Sequence, residues 1–243
     1  MKRTFTLFLA VLFSATVFGQ TTEYSLQLGS GFFSFRGPDA VTSSFYNANT
    51  ASSGYTNNPY GRGSAFSYGI ALQFQRVTKK HFIYGILAGF ESLSSSVKID
   101  DVFPPPPYYN PLSTAIYLDY LVKNGSRAIL TNEFVTLHPF VGVRLKVIQA
   151  IKTDLTFGTD FAFCTSSEEK ATVRSEYGNF DTKTTRTKPH LDSRLRIDLN
   201  NYYKHIGLIV GYSYGLTNYE SGMNGASAEV YSQMIRLGLV FKL

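Results

Sequence analysis

The sequence carries its chemistry in isolated charges set into apolar or small-residue stretches. Arg194, Arg196 and Asp198 recur at every second position, so an extended chain places all three on one face. Glu91, Arg144, Asp160 and Arg236 occupy comparable alternating stretches elsewhere. Charges gathered out of water either line a selective pore or neutralise one another as a plug. His190-Leu-Asp192 puts an imidazole and a carboxylate on one face, and serines are plentiful. A hydrolytic site would need those groups to converge on an activated hydroxyl, yet no nucleophile-elbow motif accompanies them, and His81 and His205 fall at short turns. No HExxH or EF-hand pattern is present, and Asp100-Asp101 alone offers too few metal ligands. Cys164 is the single cysteine, which excludes a disulfide framework and any paired-cysteine zinc site. The expectation is a non-enzymatic chain with no catalytic, cofactor-binding or metal-binding residues, and no cofactor.

What must position those charges follows from pattern. The chain has 243 residues, 44% hydrophobic and 16% charged, with 17 Tyr and 20 Phe, too apolar for a disordered chain. Net charge is +6, but basic residues never run longer than two, as in Lys79-Lys80, so no nucleic-acid surface is expected. Lys2 and Arg3 precede an apolar stretch over 5–18 and small or tolerated residues at 17–19, the layout of a cleaved signal peptide. The reading is therefore a signal peptide at 1–19 and one exported domain at 20–243. Nothing after residue 19 approaches an 18-residue apolar run, so a membrane-embedded form would have to cross with strands.

Strict period-two alternation marks eight segments, near 23–36, 64–76, 81–99, 128–146, 153–166, 188–199, 205–219 and 229–243. In the seventh, Ile206, Leu208, Val210, Tyr212 and Tyr214 oppose Gly207, Ile209, Gly211, Ser213 and Gly215. The connections alternate long and short: 37–63, 77–80, 100–127, 147–152, 167–187, 200–204 and 220–228. That rhythm belongs to an up-and-down barrel with tight turns at one end and long loops at the other. Two arrangements share the alternation. A soluble lipocalin-like barrel turns its apolar face inward around a ligand. A transmembrane barrel turns it outward, and here the other face is glycine-rich with sparse charges, as suits a narrow filled lumen. Tyr24, Tyr84, Tyr212, Tyr214, Tyr219 and Tyr231 near segment ends would form an aromatic girdle. The expected fold is all-β, an eight-stranded antiparallel up-and-down transmembrane β-barrel.

These features, with a chain ending Ile-Arg-Leu-Gly-Leu-Val-Phe-Lys-Leu at 235–243, resemble the outer-membrane β-barrel domain family that includes PorT-like proteins, and more distantly the OmpA/OmpX type of small barrel. The resemblance implies a multi-pass protein of the cell outer membrane, with outer-membrane lipid around it. It also implies recognition by barrel assembly machinery through Leu237, Leu239, Phe241 and Leu243. The family usually ends on an aromatic residue, and this chain ends on Leu243. The role expected is non-enzymatic: a monomer presenting extracellular loops to an extracellular or envelope partner, with a PorT-like secretion-accessory role as one form. A small passive channel is the second reading; an eight-stranded lumen is nearly closed, so Glu91, Arg144, Asp160, Arg194, Arg196, Asp198 and Arg236 are expected to form a structural network.

Local exceptions complete the reading. Pro139 cannot donate to a ladder, so a bulge or irregularity is expected there. Asn124-Gly125 suits a hairpin joining 115–122 to 127–134, and a further strand within 167–187 would then raise the count to ten. Eight is preferred.

Overall fold

The computed structural model describes residues 21–50, 53–103, 122–148, 151–175, 178–187, 189–221 and 228–243. The expected signal peptide, the proline run at 104–107 and the hairpin arm at 115–121 lie outside the described residues. Eight long strands are β1 (Thr21–Arg36), β4 (Gly63–Val77), β5 (Phe82–Phe103), β6 (Arg127–Ile148), β7 (Ile151–Ser175), β9 (Leu191–Tyr203), β10 (Ile206–Gly215) and β11 (Tyr231–Lys242). Three short ones are β2 (Ser43–Thr50), β3 (Ser53–Thr56) and β8 (Gly178–Thr185).

The long strands pair antiparallel with their chain neighbours, and β11 returns to β1, where Leu239 stands opposite Leu28. The ring is closed, so its wall has no free edge. The chain is an eight-stranded antiparallel up-and-down transmembrane β-barrel. Alternation sets the two faces. Phe66, Ile70 and Leu72 of β4 point out while Ser67, Gln73 and Gln75 point in; Leu195, Ile197 and Leu199 of β9 point out while Arg194, Arg196 and Asp198 point in. Phe66 is 74% exposed and Leu208 61%, within a belt that runs round the whole wall. Soluble monomers seldom expose more than a few hundred Å² of contiguous apolar surface. Hydrocarbon is the solvent such a face matches, and a nine-residue outward run such as that from Leu155 to Phe163 is the length a tilted strand needs to cross it.

At the long-loop end the wall continues upward. β5, β6 and β7 project past the belt, β8 adds to the end of β7, and β2 runs parallel to the top of β5, with Ser43 opposite Lys98 and β3 paired beyond it. These six strands wrap a second core of Tyr46, Ala48, Val97, Ile99, Val102, Ala128, Ala171, Val173 and Phe180. The seam between the β2–β3 pair and β8 is bridged by side chains: the Tyr46 hydroxyl of β2 donates to Thr182 Oγ1 (2.9 Å) and Thr184 Oγ1 donates to the Gly54 carbonyl of β3 (2.8 Å). The loops expected at 37–63 and 167–187 are therefore part of a folded body.

Pro139 brings the irregularity expected of it: it keeps register with Ile86 of β5 but leaves two positions of β6 unpaired with β7, so its missing donor costs ladder bonds without a shift. A bulge lies further up the same pair at Thr165, the extra residue of β7 between the pairs Glu133–Ser166 and Phe134–Cys164. Two further expectations change. Asn124-Gly125 does turn the chain, with Gly125 at φ +94, but 127–134 is the start of the wall strand β6, and Val122 bridges to Ser175 of β7. The strand in 167–187 is β8, which extends the upper body and leaves the wall at eight.

Candidate functional site

The lumen is filled in layers. At the short-turn end, Arg144 is gripped by two carboxylates: Nε and Nη2 donate to Asp154 (2.6 and 2.7 Å), and Nη1 and Nη2 donate to Glu23 (both 2.7 Å). Lys242 Nζ also donates to Glu23 (2.9 Å) and lies 3.7 Å from the centre of the Tyr202 ring. Two cations thus meet two anions beside the aqueous end. An amide chain rises from this cage, Gln27 donating to Gln73, Gln73 to Gln75 (2.6 Å) and Gln75 to Glu23 (2.7 Å).

The middle layer holds Glu91, Asp160, Asp192, Asp198, Arg194, Arg196 and Arg236. Glu91 accepts from Arg194 Nη1 (3.0 Å) and from both terminal nitrogens of Arg236, one at 3.1 Å. Arg236 Nη2 also reaches Asp160 (3.2 Å), and its Nε donates to Ser213 (2.7 Å). Arg196 Nε donates to Asp198 (2.7 Å), and His138 Nδ1 lies 3.1 Å from Asp160. Arg194 Nε donates to Asp192 (2.7 Å), which also accepts from the Tyr219 hydroxyl (2.7 Å) and Ser232 (2.9 Å). Arg194 is only 1% exposed. A buried charge of this kind is tolerable only when paired and hydrogen-bonded, which the fan of carboxylates provides. Gly211 makes room: a Cβ there would sit 2.0 Å from Asp198 Oδ1.

Above the charges comes an apolar cap of Phe33, Phe35, Leu93, Leu130, Phe134 and Met234 with Tyr60 and Tyr219 against it. The Arg194 guanidinium stacks 4.7 Å from the Phe134 ring centre, joining the two layers. Burial pushes the Tyr60 hydroxyl up to about 12, so it stays neutral at physiological pH. A cavity of about 40 Å³ bounded by Gln27, Glu91, Arg196 and Arg236 has room for a few waters and no more. Among the described residues no group of His, Cys, Asp and Glu could hold a metal ion.

Of the seven network residues read from sequence, six meet in the middle layer and Arg144 stands apart in the lower cage. His190 is exposed, whereas Asp192 is fully buried and committed to Arg194, so that pair forms no catalytic dyad. Tyr219 leaves the expected girdle for the interior, where it meets Asp192 and the Phe35 ring (4.9 Å). Cys164 is buried in the cap near the upper rim, its Sγ 3.3 Å from the Ser166 carbonyl. Leu237 and Leu239 face outward at the short-turn end of β11, with Leu243 beyond it. Sequence reading missed Glu23, His138 and Asp154. Strand parity would have found them, since they share the inward positions of Gln27, Arg144 and Asp160.

In the upper body the seam has its own buried ion pair. Glu169 accepts from the Thr56 amide (2.9 Å), Thr56 Oγ1 (2.6 Å) and Arg186 Nε (2.6 Å), and Arg186 in turn donates to the Thr56 carbonyl.

No family model matches the chain, and no curated protein matches it. Solved structures similar to it include Ail, the attachment invasion locus protein of Yersinia pestis, in complex with the heparin analogue sucrose octasulfate: 12% identity, 91% of this chain and 99% of that one covered, TM-score 0.40. Neisserial surface protein A is similar at 10% identity, 93% and 99% coverage and TM-score 0.45. The translocator domain of the autotransporter NalP from Neisseria meningitidis is similar at 10% identity, 96% and 91% coverage and TM-score 0.28. The fold stands on the closed ring and its outward belt.

Proposed function

We propose that this protein is an integral outer-membrane barrel whose role is to hold a folded β body outside the cell for binding or envelope assembly, with no catalysis and no solute path. The observation that carries it is the division of labour along the wall. The membrane-level interior is closed by two ion-pair layers and an apolar cap, while β5, β6 and β7 continue past the belt to build a body with its own core. Strand length beyond the belt serves nothing in a passive pore, and a rigid exposed surface is what it creates. A PorT-like accessory role in secretion is one version of this reading, in which the partner belongs to the envelope.

The test is conductance of the purified protein in planar bilayers, paired with amine labelling of intact cells. The expected result is no conductance steps together with modification of Lys123, exposed at the turn that leads into the top of β6. Stepwise openings would replace the scaffold reading with the channel. Failure to label Lys123 on cells, with labelling restored on lysis, would overturn the orientation.

A further inference from the structure

Cross-strand register places cations side by side on the outside of the upper body. Lys98 of β5 stands directly opposite Arg127 of β6, and Lys170 of β7 directly opposite Lys183 of β8. All four are exposed. Like charges directly opposite each other destabilise a sheet. Relief within the chain is small. Glu168 alone serves both lysines, at 3.6 Å from Lys170 and 2.6 Å from Lys183, and among the described residues Lys98 and Arg127 have no ion-pair partner. The other charged groups on this outward face are Glu133 of β6, two positions above Val135 and six from Arg127, Asp100, two positions along from Lys98, and the pair Arg174–Asp181 (3.0 Å), which closes on itself.

The position of these cations says what they face. They lie on the same side of β6 and β7 as the lipid-facing belt, several residues beyond its last members Val135 and Phe163. Seven or eight residues of a strand tilted by ~40° rise roughly 15–20 Å. That is above the acyl boundary and beside whatever head groups surround the barrel, and the surface looks sideways into them. We propose that this face binds phosphate groups on the saccharide head of the surrounding outer-leaflet glycolipid, which bridge Lys98 with Arg127 and Lys170 with Lys183. The proposal rests on the outer-membrane reading above. Each bridging anion replaces a like-charge repulsion by two charge-assisted hydrogen bonds.

The experiment places the folded protein in phosphatidylcholine nanodiscs carrying rough lipopolysaccharide with a phosphorylated core, and measures the midpoint of its heat-modifiable mobility shift. The expected result is a rise of several degrees that disappears at high salt. The double variants Lys98→Gln/Arg127→Gln and Lys170→Gln/Lys183→Gln should lose most of that rise. In phosphatidylcholine alone Lys98→Gln/Arg127→Gln, which breaks no ion pair among the described residues, should be as stable as the parent or more so, a sign that a structural ion pair could not give. Lys79→Gln, at a short turn, should keep the full rise. Chemically dephosphorylated lipopolysaccharide giving the same rise would overturn the proposal, as would full retention by both double variants. Equal stabilisation by soluble polyphosphate, or by phosphatidylglycerol whose phosphates sit at the belt, would overturn the saccharide-level lipid source. Failure of the protein to enter nanodiscs as a heat-modifiable barrel would instead overturn the membrane reading itself.

Discussion

Replacing Arg236 by Met tests whether the middle layer is held by its charge balance. Four carboxylates (Glu91, Asp160, Asp192, Asp198) share three guanidiniums (Arg194, Arg196, Arg236) in that layer, with His138 beside Asp160. Arg236→Met fills similar volume but takes two hydrogen bonds from Glu91, one from Asp160 and one from Ser213. It leaves two guanidiniums against four buried carboxylates. Removing one partner of a buried pair costs about 3–5 kcal/mol. Glu91→Gln takes charge from the other side and leaves three against three. Each arginine keeps a carboxylate, Arg194 through Asp192 and Arg236 through Asp160, so the cost is about 1–2 kcal/mol from weakened hydrogen bonds. The double variant should lose less than the sum of the two, with coupling of about 1–3 kcal/mol. Urea titration of the barrel in lipid vesicles, followed by tyrosine fluorescence and by the gel shift, reads all three. A Glu91→Gln variant as unstable as Arg236→Met would refute the charge-balance argument. So would an Arg236→Met variant within 1 kcal/mol of the parent, which would mean that water reaches this layer freely.

Two other outcomes follow from the geometry. Gly211→Ala would put a Cβ 2.0 Å from Asp198 Oδ1 and 2.9 Å from the Ile197 carbonyl, forcing Asp198 off Arg196, and should cost about 1–3 kcal/mol in the same titration. In the upper body, the hydrogen bond from Lys183 holds the Glu168 carboxyl below its ordinary range, and the Arg174 guanidinium does the same for Asp181. A folded-state pKa below the unfolded one means these contacts stabilise β7–β8 fully above about pH 5 and fade as pH falls through the lowered values. Hydrogen exchange of β8 amides, corrected for intrinsic rates, should therefore accelerate below pH 4 while the amides of β10 stay protected. In Glu168→Gln/Asp181→Asn that acid-dependent difference should vanish, and its persistence would count against the assignment.

The sequence by itself determined the wall. Period-two alternation is a local property, each residue's face following from its neighbours' positions along an extended chain, so the eight wall strands and the outward belt were readable from one dimension. So was the inward parity of Arg194, Arg196 and Asp198. The alternation failed where something non-local intervened. At Thr165 one extra residue is absorbed against Glu133 and Phe134, and inward parity on β7 switches from Asp160 and Ala162 to Ser167, Glu169 and Ala171. A pattern that changes phase reads as a strand ending, and so β7 was expected to stop near residue 166 when it runs to Ser175. β2, β3 and β8 are short and rich in Ser, Thr and Asn. Their apolar contribution is a few residues such as Tyr46, Ala48 and Phe180, which become a core only when strands distant in sequence bring them together. Pairing was decided the same way. That Arg144 belongs with Glu23 and Asp154 while Arg236 belongs with Glu91 depends on barrel register and height, because an arginine's partner is whichever carboxylate closure of the ring puts within reach.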